Sequence, residues 1–270
     1  MPMQAHAGFP ESLVHEALVA SAACAGTGMR VLGISGLQGS GKSTLAAQVV
    51  AAAHAAGMSA ATASLDDFYL TAANRQVLAR EVHPLLATRG PPGTHDVALA
   101  LRTLDALGDG DVVPLPRFDK LGDDRMPASR WPVPTRPLDL LVLEGWCLSV
   151  SAEADDALRV PLNALERDED PDGTWRRWCN TALGRDYPAL WQRIDTLWFL
   201  QPPDFEAVYA WRLQQERALQ AAEPGRAGMD VPSLARFIQH YERVSRQALR
   251  TLPARADRVI ALGGGREVLA

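Results

Sequence analysis

Short apolar runs alternate along the chain with longer segments in which apolar residues recur at helical spacing. Arg30-Val31-Leu32-Gly33-Ile34, Ser59 to Leu65, Leu140 to Leu143 and Ile194 to Leu200 read as buried strands, and Arg258 to Leu262 as a last short one. Leu45 to Ala56 is Ala-rich without Pro or Gly, hence a helix, and Gly57 stops it. Leu13, Val14, Ala17 and Leu18 mark a helix over Glu11 to Ala25, expected beside the first strand. Further helices are predicted over Ala72–Arg80, from a Thr94 cap through Leu107, and over Trp175–Leu183 and Tyr187–Gln192. Phe205–Ala221 and Pro232–Leu252 read as long amphipathic helices. Val112 to Leu115 reads as extended, and the polar, acidic residues 151–173 as a surface loop. This alternation predicts an α/β fold, a parallel sheet covered by helices on both faces. With no internal repeat and no separating linker, residues 1–270 are expected to form one domain, with a core at about 29–265 and a helical extension over 1–28.

One junction in this pattern carries chemistry. Gly36-Leu37-Gln38-Gly39-Ser40-Gly41-Lys42-Ser43-Thr44 fits the phosphate-loop pattern G-x-x-x-x-G-K-[ST] at every fixed position, between a predicted strand and a predicted helix. Such a turn makes a nest of backbone N–H groups backed by the positive end of the helix dipole. A nucleoside triphosphate is therefore expected here, contacted by Gly36, Gln38, Gly39, Ser40, Gly41, Lys42, Ser43 and Thr44. Lys42 can reach the β- and γ-phosphates, and the Ser43 hydroxyl can bind Mg²⁺.

Two further strand ends bear acids. The second strand runs into Asp66-Asp67-Phe68-Tyr69, and in doubly wound sheets ligands gather beyond the carboxyl ends of strands. Adjacent strand residues point to opposite sides, so spacing alone leaves open which acid faces the phosphates. Glu144, closing the Leu140–Leu143 run, is a Walker-B-type acid and a candidate for the Mg²⁺ shell.

Composition narrows the partners. The 270 residues are 47% apolar and 22% charged, ordinary for a globular protein, and the net charge of −5 argues against a nucleic-acid partner. Ser43 to Leu65 carries no acid, Lys or Arg, but it is mostly Ala, Ser and Thr, too weakly apolar for a membrane span. Cys24, Cys147 and Cys179 lie far apart, which suits a reducing compartment and offers neither a disulfide framework nor a zinc site. The first residues lack a basic segment followed by an apolar core, so a cytoplasmic location is expected. Oligomeric state is not set by any of these features.

Several motifs together resemble the plant and fungal D-glycerate 3-kinases, within the wider group of uridine kinases, phosphoribulokinases and bacterial-type pantothenate kinases. Ser64-Leu65-Asp66-Asp67-Phe68-Tyr69 is similar to their D-D-F-Y segment, and Arg89-Gly90 through Thr94-His95-Asp96 resembles R-G-x-x-G-[ST]-H-D. Pro116-Arg117-Phe118-Asp119-Lys120 with Gly122-Asp123-Asp124-Arg125 resembles P-R-[YF]-D-K…G-x-G-D-R. Glu144-Gly145-Trp146 matches E-G-W, and Val208 to Gln214 resembles V-Y-x-W-R-L-Q. The resemblance spans residues 31–262. It departs at Leu121-Gly122-Asp123, where the loop is shorter than the family's, and at the acidic insert near 165–173.

The resemblance implies a P-loop kinase that uses ATP and Mg²⁺ to phosphorylate a small-molecule hydroxy acid, D-glycerate giving 3-phosphoglycerate. It implies Asp66 as the base that accepts the alcohol's proton, with Lys42 as its catalytic companion on the phosphates. Acceptor contacts are expected from Asp67, Arg89, His95, Asp96 and Arg125, and Arg212 is expected to act as a lid arginine on the nucleotide. Arg suits a carboxylate because its fork donates two hydrogen bonds. Rival readings keep the same loop: transfer to pantothenate or a nucleoside, or a nucleotide-switched chaperone or GTPase-like protein. No N-K-x-D guanine motif supports the last.

Overall fold

The computed structural model of the chain describes residues 8–23, 28–222 and 229–269. Five strands form one parallel sheet: β1 (Arg30–Gly36), β2 (Ala60–Ser64), β5 (Leu140–Gly145), β6 (Thr196–Gln201) and β7 (Arg258–Ala261). Their order across the sheet is β2-β5-β1-β6-β7. Two two-residue strands, β3 (Phe118–Asp119) and β4 (Asp124–Arg125), pair antiparallel in a separate hairpin.

Strand alternation sorts the core into two layers. Leu32, Ile34, Leu140, Val142, Trp198 and Leu200 face one side, where they meet Leu45, Val49 and Ala53 of α2 (Lys42–Ala55) and Leu13 and Ala17 of α1 (Glu11–Ala23). Val31, Leu141, Leu143, Leu197 and Phe199 face the other. That side is covered by α4 (Val97–Gly108), α7 (Pro188–Trp191) and the long α9 (Val231–Thr251) through Ala100, Leu104, Leu190, Ile238 and Tyr241. The chain is completed by α3 (Ala72–Glu81), α5 (Ala164–Glu169), α6 (Thr174–Arg185) and α8 (Glu206–Ala222). Among the described residues no helix is long and apolar enough to cross a membrane.

Several boundaries differ from expectation, each for a physical reason. Thr94 does not cap α4: its hydroxyl donates to the Pro91 carbonyl at 2.8 Å and so closes the preceding turn, while Asp96 caps by accepting from Leu99 N at 2.9 Å. Residues 112–115 join no sheet; Leu115 N instead donates to the Pro132 carbonyl at 2.9 Å. The acidic stretch 151–173 is not a solvated loop, because Glu166 and Asp170 are buried. Asp170 accepts from the backbone N–H groups of Trp175 and Arg176 and pairs with the Arg176 guanidinium at 2.9 Å. Glu166 takes both arms of Arg243, at 2.7 and 2.6 Å. Cys24 and Ala25, at the end of the first predicted helix, lie outside the described residues.

Candidate active site

Because the sheet is parallel, β1, β2 and β5 all release their chains at one edge. Glu144 pairs in register with Ile34 of β1 on one side and with Ser64 of β2 on the other, which brings three strand ends to one point. The glycine-rich loop leaves β1 there. Gly39 and Gly41 take φ of +81° and +93°, left-handed values that cost an L side chain strain. A Cβ on Gly39 would also stand 2.8 Å from Cβ of Trp211, so the loop packs directly on α8. Helix α2 starts immediately after the loop and aims its N-terminal end at the cradle. Lys42 Nζ, buried, donates to the Leu37 carbonyl at 2.9 Å. Burial pulls the Lys42 ammonium below its ordinary range, against the opposing charges of Glu144 and Asp66. Ser43 Oγ donates to Glu144 Oε1 at 3.0 Å.

A local motif separates the two acids after β2. Ser64 caps a short 3-10 turn over Leu65–Phe68: its hydroxyl accepts from Asp66 N at 3.3 Å, and its own N–H donates to Asp67 Oδ2 at 3.2 Å. Asp67 is thereby used as structure. It also accepts from Phe118 N and from Arg117, each at 3.3 Å, and so ties the 118–125 hairpin to the sheet. Asp66 enters the cavity instead, accepting from Tyr69 OH at 2.8 Å through Oδ1 and from Lys120 Nζ at 2.7 Å through Oδ2. Burial raises the Asp66 carboxyl, but the adjacent Lys120 charge and these hydrogen bonds outweigh it and hold the group below the usual carboxylate range.

The cavity between these elements measures about 200 Å³. Gln38, Gly39, Lys42 and Ser43 line its phosphate-loop side, and Asp66, Tyr69 and Lys120 its β2 side. Arg89, Arg212, Trp146 and Tyr241 form much of the remaining wall. Arg89 pairs with Asp123, donates to the Lys120 carbonyl at 3.2 Å and lies over the Phe118 ring. Arg212 donates to Gln215 at 2.9 Å.

The other residues expected at the acceptor stand behind this wall. Arg125 donates to the Tyr69 carbonyl at 2.8 Å and to Asp96 at 3.1 Å, while Asp96 is engaged as the α4 cap. His95 is buried, stacked on Tyr69 at 4.5 Å between ring centroids, with Nδ1 2.6 Å from the Tyr187 hydroxyl. Burial lowers its pKa to about 4, so the ring is neutral at ordinary pH. None of Asp67, His95, Asp96 and Arg125 is among the residues lining the cavity, whereas Arg89 is. They hold the Asp66–Tyr69 turn and the hairpin in place.

Sequence reasoning missed several residues here. Phe237 and Tyr241 lie four apart on α9 and read as an ordinary apolar stripe, yet both line the cavity, and Tyr241 OH donates to the Arg89 carbonyl at 3.1 Å. Arg266 carried no motif at all. Its Nε donates to the Gly39 carbonyl at 2.6 Å, Nη1 reaches Gln214 at 2.7 Å, and its guanidinium lies over the Trp211 ring.

The residues suit a triphosphate. The Gln38 Nε2 amide, the Ser40 hydroxyl and Arg212 Nε are donors buried without a hydrogen-bond partner among the described residues, a costly state that phosphate oxygens would relieve by accepting from them. Among the described residues no group of three or more His, Cys, Asp or Glu could hold a metal by itself. Mg²⁺ bound through phosphates, waters and one or two protein oxygens needs no such group, and Ser43 with Glu144 would be placed to supply those oxygens.

Comparison with known proteins agrees with this geometry. No family model matches the chain. The chain is 37% identical over 221 residues to an uncharacterized kinase of Schizosaccharomyces pombe, covering 78% of each protein. It is 32% identical over 249 residues to the chloroplastic D-glycerate 3-kinase of Arabidopsis thaliana, covering 86% of this chain but only 52% of that longer protein. Its structure matches the D-glycerate 3-kinase of Cryptococcus neoformans var. grubii with a TM-score of 0.75 and 25% identity, covering 96% of both chains. With a phosphate loop, an acid-bearing turn beyond β2 and a shared fold, the chain belongs to the family of ATP-dependent P-loop kinases that includes D-glycerate 3-kinase.

Proposed function

We propose that this kinase transfers the γ-phosphoryl group of ATP to a hydroxyl of a small hydroxy acid, D-glycerate giving 3-phospho-D-glycerate, with Asp66 as general base. The observation that carries the proposal is the shared cavity: the Asp66 carboxylate, Lys42 and the Ser43–Glu144 pair border one space of about 200 Å³ whose far wall is cationic and aromatic. The names borne by two of its relatives support the same acceptor.

In this reading Lys42 and the loop amides hold the phosphates, and Ser43 and Glu144 hold Mg²⁺, which neutralises charge on the moving phosphoryl group. Asp66 orients the acceptor hydroxyl and takes its proton as the new P–O bond forms. Tyr69, bonded to Asp66 Oδ1, fixes the direction in which the carboxylate points. Arg89 and Lys120 give the cavity the positive charge an acidic acceptor requires. Residues 1–270 act as one kinase unit, and a cytoplasmic setting suits the free, buried thiols of Cys147 and Cys179.

ADP release measured with D-glycerate, L-glycerate, pantothenate and uridine tests the acceptor. The expected result is turnover with D-glycerate well above the others. Background rates with D-glycerate alongside turnover with pantothenate or uridine would reassign the enzyme.

A further inference from the structure

We propose that Lys120 is a movable counter-charge: it sheathes the Asp66 carboxylate while the acceptor site is empty and passes to the carboxylate of the acceptor when one enters. The inference rests on the hydroxy-acid reading above and extends it to what Lys120 does before an acceptor arrives.

Both oxygens of the candidate base are occupied, Oδ1 by Tyr69 at 2.8 Å and Oδ2 by Lys120 at 2.7 Å. An acceptor hydroxyl needs one of them. Tyr69 is in no position to yield, being buried, stacked on His95 and edge-on to Phe118. Lys120 is built to move. Its side chain is 61% exposed while its backbone is fixed. The Lys120 carbonyl accepts from Arg89 at 3.2 Å, Leu121 N donates to Asp119 at 2.9 Å, and buried Arg75 grips both the carbonyl and the carboxylate of Asp123. A four-carbon arm therefore swings from a rigid turn.

Lys120 is the exposed end of this pair, and when it leaves, Asp66 keeps its hydrogen bond from Tyr69. Arg125 is committed to Asp96 and stands outside the cavity, and Arg89 is paired with Asp123. Lys120 is thus the cation whose release for an anionic acceptor also uncovers the base.

The arrangement bears on wasted ATP. In hydrolysis the water oxygen bonds to the γ-phosphorus, the bond to ADP breaks and a water proton passes to Asp66. In transfer the acceptor oxygen takes the place of water and its proton takes the same route. Lys120 on Oδ2 blocks the first reaction; an acceptor carboxylate that draws Lys120 away permits the second.

The test compares the full chain with Lys120→Met, Lys120→Arg and the double variant Lys120→Met/Asp66→Asn, reading ADP release with and without D-glycerate. In Lys120→Met, acceptor-free ADP release should rise about tenfold, a modest part of a general-base effect. The KM for D-glycerate should rise by a similar factor with little change in the KM for ATP. Lys120→Arg should restore both, and the double variant should lose the hydrolytic gain. Acceptor-free release that stays level or falls in Lys120→Met, or a gain that survives Asp66→Asn, would overturn the proposal. A natural-sequence protein idle on every hydroxy acid would refute the acceptor assignment instead, and the acceptor-free comparison would still decide the sheath.

Discussion

Ser64 and Glu144 stand opposite each other in the parallel register of β2 on β5, and the roles of the site divide at that pair. Glu144 turns to Ser43 on the phosphate loop, whereas Ser64 caps the turn that delivers Asp66. The spacing between Glu144 and Asp66 is therefore set by neighbouring strands, about 4.8 Å apart in any sheet, together with the short capped turn that follows β2.

Replacing Asp66 by Asn should leave ATP affinity intact and lower kcat by about 10²- to 10⁴-fold, the usual loss for a general base. Calorimetric ATP titration beside steady-state kinetics separates the two. Undiminished turnover would take Asp66 out of the chemistry.

Glu144→Gln keeps a hydrogen-bond acceptor for Ser43 but removes the charge. The Mg²⁺ concentration giving half-maximal rate should rise about 10- to 100-fold, as for other groups that orient or charge a metal site. A magnesium titration at saturating ATP reads this directly. An unaltered requirement would confine Glu144 to holding Ser43.

Asp67→Ala removes the reciprocal half of the cap and the ties to Phe118 and Arg117. A loss of about 1–2 kcal/mol in unfolding free energy is expected, with an acceptor KM that moves little. Denaturant unfolding and kinetics on one preparation distinguish this from a contact with the acceptor, which would raise KM at full stability.

Arg266→Ala should loosen the phosphate loop from outside the cavity. The Gly39 carbonyl loses a charged donor and Trp211 loses its stacked guanidinium, together worth about 1.5–3 kcal/mol. Weaker ATP binding with a near-normal KM for D-glycerate is the expected signature. Equal weakening of both ligands would count against a role specific to the loop.

Stability should fall as pH drops from about 6.5 to about 4. His95 and His240 are both buried, and burial lowers each from an ordinary value of 6.5 to about 4. Within that window the unfolded chain binds protons that the folded chain does not, so protonation favours unfolding. Each histidine contributes on the order of 3 kcal/mol once the window is crossed. Urea midpoints measured across this range should fall less steeply, by about one proton's worth of slope, in His240→Gln than in the natural sequence.

The phosphate loop and all five sheet strands were legible because their signals are local: glycine spacing in one case, short apolar runs in the other. The α4 cap was misplaced because Thr94 and Asp96 are both good capping residues, and the choice is made by the turn that Thr94 closes on Pro91 and by a contact from Asp96 to the remote Arg125. Asp66 and Asp67 could not be separated by strand alternation because a capped 3-10 turn, not a continuing strand, aims them. The acidic insert read as solvated in part because Glu166 finds its partner in Arg243, 77 residues away. Tyr241 and Arg266 were invisible for the same reason, since their value lies in what the fold sets against them.

Helix α9 joins two regions that share no chemistry. Phe237 and Tyr241 form cavity wall, while Arg236 pairs with Glu169, Gln239 accepts from Leu165 N at 2.7 Å, and Arg243 is clasped by Glu153 and Glu166. The departure from the family pattern near 165–173 therefore works as a yoke on the far flank of the same rod. Remodelling that insert would shift the aromatic wall without altering any residue that lines the cavity, giving evolution a remote handle on the cavity's shape.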